Sequence, residues 1–196
     1  MKQQVLDAQY WEERYRAQDI GWDIGHISTP LKAYVDTLTD KNKKILIPGA
    51  GNGHEAIYLH QQGFSEVYVL DWSSSALGNI RERCPEFPED QLTCCDFFEH
   101  QGQYDLILEQ TFFCALNPEL RPAYAAQMSA LLKPQGRLVG LLFEATLNND
   151  IPPFGGSKQE YLDYFRPYFA LDTFEPAHNS IPQRAGRELF MNLIKP

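Results

Sequence analysis

Cysteine is scarce and unpatterned in this chain of 196 residues. Cys84, Cys94, Cys95 and Cys114 form no C-x-x-C pair, and adjacent cysteines rarely bridge each other, so a disulfide framework is not indicated and reduced thiols are expected. Cys94, Cys95, Asp96 and His100 match no zinc spacing; burial at a strand end is the simpler expectation, and no metal is anticipated. Long apolar runs are also missing. No window approaches the roughly 18 residues of a membrane span, and residues 1–7 lack the apolar stretch of a secretory signal, which points to a cytoplasmic protein. Positive charge is in deficit, with 17 Lys and Arg against 26 Asp and Glu and a net charge of −9. A polyanion would be repelled, and no basic stripe offers it a track, so nucleic acid is not an expected partner. No repeat or low-complexity segment interrupts the chain, whose 43% apolar content suits one globular domain spanning 1–196.

What is present is a glycine turn. Residues 45–56 read ILIPGAGNGHEA, an apolar run followed by Gly49, Gly51 and Gly53 and then helix-favouring residues. Glycine at alternate positions lets the main chain pass close beneath a ligand with no Cβ in the way. A dinucleotide fingerprint needs a third glycine where this chain has His54, and a P-loop needs Gly-Lys-Ser/Thr where it has Gly53, His54 and Glu55. A nicotinamide-dependent reductase is therefore disfavoured. G-x-G-x-G after a first strand is the arrangement used for S-adenosylmethionine, which carries no phosphate.

A second apolar run, 67–70, ends in Asp71, 20 positions after Gly51. A carboxylate there is placed to accept hydrogen bonds from both ribose hydroxyls; its structural alternative is a turn or cap aspartate. Apolar runs at 44–47, 66–70, 91–95, 104–110, 136–143, 170–175 and 188–194 read as seven strands, the first five alternating with helices. Helical patterns cover 5–18, 55–62, 76–84, 122–132 and 158–165. This is the pattern of a doubly wound α/β sheet, mostly parallel and turning antiparallel at its C-terminal end, with helices on both faces.

Ligands in such a sheet bind beyond the carboxyl ends of the strands. After the third strand, Asp96 is placed for the adenine amino group, with Phe97 beside the ring. The fourth strand ends in Glu109 and Gln110, either of which can face the ligand, and then Phe112 and Phe113, one expected in the pocket wall and one in the core. The segment 146–157, rich in proline, glycine and asparagine, has the composition of a lid that orders over a site.

The chain resembles the thiopurine methyltransferase superfamily, and more closely its thiol/halide methyltransferase branch. The matching stretches are WEERY at 11–15, GWDIGHISTPL at 21–31, IPGAGNGHEA at 47–56, LDWSSSAL around Asp71, YDLILEQTFFCALNPELRPAYA from Tyr104, LLKPQGRLVGLLF from Leu131 and PPFGGSKQEY from Pro152. The resemblance implies a Rossmann-like class I fold, S-adenosylmethionine as cofactor with S-adenosylhomocysteine as product, and an N-terminal helical cap over 1–40. It places Trp11 and Trp22 over the cofactor and matches Gly49, Asp71, Asp96 and Phe97 to the family's cofactor contacts. With Gly51, Gly53, Trp72, Glu109 and Gln110 these make the expected cofactor set. Three departures alter the expected acceptor pocket: Tyr15 replaces a tryptophan, Gln110 a tyrosine, and Phe154 the tyrosine of a Pro-Pro-Tyr. Tyr15, Phe112 and Phe154 are the pocket candidates.

The implied reaction is methyl transfer to a small soft nucleophile, a thiol or hydrosulfide. A thiopurine, a halide and a selenium or tellurium oxyanion are alternatives, as is a cofactor-binding protein without turnover. Once ionised, a soft anion needs no general base, so catalysis comes from alignment in a dry pocket. A thiol of pKa about 8.5 gains from a polar or cationic neighbour, for which Gln110, His178, Arg184 and Arg187 are the candidates. A small-molecule acceptor and a monomer or weak dimer are expected.

Overall fold

A computed structural model describes residues 5–196; the first four residues of the expected cap lie outside it. The cap holds α1 (Ala8–Arg16), begun by Asp7, whose carboxylate accepts from the Tyr10 amide at 2.9 Å, and α2 (Thr29–Val35). The remainder runs β1 (Ile45–Pro48), α3 (His54–Gln61), β2 (Val67–Asp71), α4 (Ser74–Arg83), β3 (Leu92–Cys94), β4 (Tyr104–Gln110), α5 (Arg121–Leu131), β5 (Leu132–Phe143), α6 (Lys158–Phe165), β6 (Ala170–Pro176) and β7 (Glu188–Ile194).

All seven strands join one sheet in the order β3-β2-β1-β4-β5-β7-β6. The first five are parallel, and β7 runs antiparallel between β5 and β6. Alternate residues of the inner strands serve two cores. Leu46, Leu70 and Ile107 pack with Tyr124, Met128 and Phe165 of α5 and α6, whereas Ile45, Ile47, Val69 and Leu108 pack with Leu31, Ala56, Leu59 and Ile80 of α2, α3 and α4. Burial of both faces is why the inner strands are continuously apolar. Chain order reverses between β1 and β4, which opens a crevice at their carboxyl ends. Among the described residues no helix is long and apolar enough to cross a membrane.

The structure corrects the expectations in five places. Alternation with helices breaks between β3 and β4, where Asp96 accepts from the Phe98 amide at 2.8 Å and turns the chain instead. Cys94, expected to be buried, is exposed, because β3 is a three-residue edge strand. Helix α1 starts at Ala8 rather than at residue 5, and β5 starts at Leu132 rather than 136. Helix α2 is additional to the expected set; seven residues are too few for periodicity, although Ser28-Thr29-Pro30 carries a helix-start signal.

Glu12 fastens the cap to the sheet layer. Its carboxylate accepts from the Ser73 hydroxyl at 2.7 Å and from the Ser75 hydroxyl and amide at 2.6 and 3.1 Å, at the N-terminus of α4, with Arg16 at 2.8 Å. The Ser75 hydroxyl is the largest influence holding this carboxyl down, at about 2 against an ordinary 4.5. Its contribution is complete above about pH 4.5 and is lost as pH falls through about 2. Glu12→Gln is expected to lower stability at pH 7 by about 1 kcal/mol and to flatten the acid limb below pH 4.5, as read by urea unfolding across pH.

Candidate active site

The glycine turn is shaped by what closes on it. Gly49, Gly51 and Gly53 have φ of +59°, +54° and +66°, a region that side chains rarely adopt. A Cβ at Gly49 would overlap the Phe112 ring, and one at Gly51 would overlap the Tyr15 hydroxyl. Gly53 makes no cavity wall: a Cβ there would strike Ile80 of α4, so it serves helix packing.

Asp71, at the end of β2, clamps this turn. One carboxylate oxygen accepts from the Gly51 amide at 2.9 Å and the other from the Ser73 amide at 2.8 Å. Burial pushes the Asp71 carboxyl up, against the pull of those amides. Asp23 joins the cap to the same turn, accepting from Asn52 at 2.5 Å and pairing with His54 Nε2 at 2.8 Å. Burial raises the Asp23 carboxyl, but bonds from His54, the Gly25 amide and Asn52 outweigh it and hold the group well below the usual carboxylate range. His54, which occupies the missing third-glycine position, is thus a cross-link between cap and turn.

A cavity of about 450 Å³ lies above, within the range of small-molecule sites. Trp11, Tyr15, Trp22, Gly49, Asp71, Trp72, Asp96, Phe97 and Phe112 line it, nine of the expected residues in one place. Trp22 meets Trp11 and Tyr15 edge-on at 5.6 and 5.9 Å, with the Arg14 guanidinium 5.0 Å from its ring. Phe97 meets Phe112 edge-on at 5.2 Å, and Gln127 holds the Phe97 and His100 carbonyls at 3.0 and 2.9 Å.

The fourth strand separates its two polar residues. Glu109 is fully buried and outside the cavity; it accepts from the Phe112 and Phe113 amides at 2.9 and 3.0 Å and from the Tyr124 hydroxyl. Gly140 on β5 leaves room for it, since a Cβ there would strike the Glu109 side chain. Burial pushes the Glu109 carboxyl up to about 7. Gln110 instead lines a smaller cavity with Gly51, Asn52, Asp23 and Glu55, and its Oε1 is buried with no hydrogen-bond partner among the described residues. The two cavities share Tyr15, Trp22, Gly49, Thr111 and Arg184. Phe112 is in the wall and Phe113 in the core.

The lining also includes a mainly apolar group, Cys114, Ala115, Leu116, Phe143, Leu147, Pro152 and Pro153, together with Gln183, Arg184 and Arg187. Arg184 is buried and donates to the Trp22 carbonyl at 2.7 Å, with Glu188 at 3.5 Å. Arg187 is exposed, and no described residue pairs with its guanidinium. His178 and Phe154 do not reach the cavity. His178 is exposed on its loop, and Phe154 is buried, its amide donating to the Cys114 carbonyl at 2.7 Å. The segment 146–157 is held by bridges between Ala145 and Gly156 and between Asn148 and Phe154. Sequence reasoning missed Arg14, Thr111 and Cys114; Thr111 carries a φ of +56° that no local signal announces.

A family model described as thiopurine S-methyltransferase matches residues 6–188. Thiocyanate methyltransferase 1 of Arabidopsis thaliana is 31% identical over 186 residues, covering 91% of this chain and 81% of that one. Thiopurine S-methyltransferase of Nitrosospira multiformis is 28% identical over 176 residues, 79% of each chain. Among solved structures, the 1,6-didemethyltoxoflavin-N1-methyltransferase of Burkholderia thailandensis, crystallised with S-adenosylhomocysteine, superposes with a TM-score of 0.78 at 20% identity over 96% of this chain and 86% of that one. A TehB-like S-adenosylmethionine-dependent methyltransferase of Corynebacterium glutamicum gives 0.67 at 19% identity, over 96% and 97%. The fold is the Rossmann-like one of class I methyltransferases.

The raised Glu109 carboxyl makes a contribution that is complete below about pH 4.5 and lost as pH rises through about 7. Glu109→Gln, whose oxygen can still take both amides, is expected to remove that slope. Glu109→Ala orphans the amides and leaves a cavity, and is expected to cost about 2–4 kcal/mol. Urea unfolding at pH 5 and pH 7.5 distinguishes them; a wild-type slope retained in Glu109→Gln would contradict the assignment.

Proposed function

The chain belongs to the thiopurine S-methyltransferase family, and from that premise we propose that its methyl acceptor is a small soft anion, foremost a thiolate or hydrosulfide. It is an S-adenosylmethionine-dependent methyltransferase acting on a small molecule. The observation that carries the acceptor reading is Arg187, a cation lining a largely apolar chamber and without a partner for its guanidinium among the described residues. Relatives named for thiocyanate and for thiols support an anion.

The residues present suit the cofactor. Each Asp71 oxygen has a lone pair left beyond its bond to the Gly51 or Ser73 amide, enough to receive two ribose hydroxyls. Asp96 and Phe97 line the same cavity and would receive the adenine amino group and ring, with Trp11, Trp22 and Trp72 as cover. The orphaned Gln110 Oε1 supplies an acceptor for the ammonium of the methionyl part. Residues 5–40 serve as the cap of a single domain, and the protein works in the cytoplasm as a monomer or weak dimer without nucleic acid.

When bound, the cofactor supplies a methyl group on a sulfonium centre. Phe112, Thr111 and Cys114 line the same cavity and would position the acceptor, and its apolar lining would exclude water, which strengthens a soft nucleophile. Arg187 favours the ionised acceptor, so no side chain needs to take a proton in the chamber.

Labelled methyl transfer to hydrosulfide, small thiols, thiocyanate, iodide and a thiopurine tests this directly. Turnover is expected to favour the small sulfur anions, and transfer to the thiopurine alone would contradict the proposal. Arg187→Met is expected to raise KM for the anion about tenfold, which is about 1.4 kcal/mol, while adenosylhomocysteine binds as before.

A further inference from the structure

Away from both cavities, three side chains of different chemistry converge at the C-terminal ends of α3 and α4. His60 lies in the last turn of α3, Cys84 caps the C-terminus of α4, and Glu86 follows two residues on. Their ligand atoms all lie within 4.8 Å of one another. The geometry points to a binding site for a transition-metal dication, zinc foremost, made by His60, Cys84 and Glu86.

The donor set supports zinc. One imidazole nitrogen, one thiolate sulfur and one carboxylate oxygen are ligands of a borderline-soft ion, and an all-oxygen site for calcium or magnesium would contain neither of the first two. Small rotamer changes bring such atoms to bonding distances of about 2.0–2.3 Å, with water as the fourth ligand. The backbone is pre-set: Pro85 fixes the step between the two nearby ligands, and the Cys84 carbonyl accepts from the Phe87 amide at 2.9 Å. Phe87 also packs its ring 5.3 Å from the His60 ring, which orients the imidazole. Two helix C-termini meet here, so the partial negative charge of α3 and of α4 falls on the same point and favours a cation. The neighbouring Arg81 and Arg83 are committed elsewhere, Arg81 to Glu89 at 2.6 Å and Arg83 to the Asn52 carbonyl at 2.8 Å and His54 at 2.9 Å.

A metal here would be a clamp rather than a reagent. It would join the end of α3, whose N-cap is Gly53, to the end of α4, whose Ile80 fills the space beside Gly53. On binding, the Cys84 thiol gives its proton to solvent and the sulfur bonds the metal; nothing is oxidised.

The test is a titration of the metal-free full chain with Co²⁺, read by absorption, and with Zn²⁺, read by calorimetry and melting. One equivalent of Co²⁺ is expected to give the near-ultraviolet thiolate-to-cobalt band, absent in Cys84→Ser and kept in Cys94→Ser. Zinc at about a hundred times its Kd is expected to raise Tm by roughly 5–10 °C. No band, or a band that survives Cys84→Ser, would overturn the site. Because Cys84 is buried and its variant can misfold, His60→Ala at a half-buried position is the second probe. It is expected to weaken zinc binding at least about tenfold, and unchanged affinity would equally overturn the proposal.

Discussion

The bond from the Gly51 amide to the Asp71 carboxylate is the constraint on which the rest of the site depends. It holds a left-handed backbone turn at the end of β1 against the end of β2, and so fixes the floor of the cavity relative to the groups at its sides. With that turn in place, Gly49 accepts the Phe112 ring and Gly51 the Tyr15 hydroxyl, each in space that a Cβ would deny. Asp71 stays buried at this junction because two amides and an open cavity satisfy it. A charge there with fewer partners would be costly.

Long-range polar contacts then bring the cap and the C-terminal loop onto this floor. Glu12 binds the start of α4, Asp23 binds Asn52 and His54, and Arg184 holds the Trp22 carbonyl. Thr29 and Asn179 join the cap to the loop on the same side, the Asn179 amide lying 3.5 Å from the Thr29 carbonyl. The aromatic cover of Trp11, Tyr15 and Trp22 is therefore anchored at its edges by charge-assisted hydrogen bonds. Beneath it, Glu109 does for the fourth strand what Asp71 does for the second. Each is a carboxylate at a strand end accepting backbone amides of the turn that follows or adjoins it, and only Asp71 also faces the cavity.

What was legible in the sequence is what local geometry dictates. Alternate glycines, the acidic end of the second apolar run and continuous apolar strands each follow from short-range rules, and they placed the sheet and the turn. Two points needed the third dimension. Whether Glu109 or Gln110 faces the ligand depends on register, and it is decided across the sheet by the absent Cβ of Gly140. His54 read only as a failed third glycine, since its partner Asp23 lies 31 residues earlier. The acceptor end was least legible. Motif position points to Phe154 and charge to His178, whereas the loop's course brings Arg184 and Arg187 to the chamber and leaves His178 outside.

The central claim is that an adenosyl cofactor lies over the glycine turn with its ribose on Asp71. Calorimetric titration of adenosylhomocysteine into the folded wild-type chain and into Asp71→Ala tests it most directly. The expected result is binding of one equivalent to the wild type and at least a hundredfold loss in the variant, about 2.7 kcal/mol. No heat of binding from folded wild-type protein, or equal affinity in both, would contradict it.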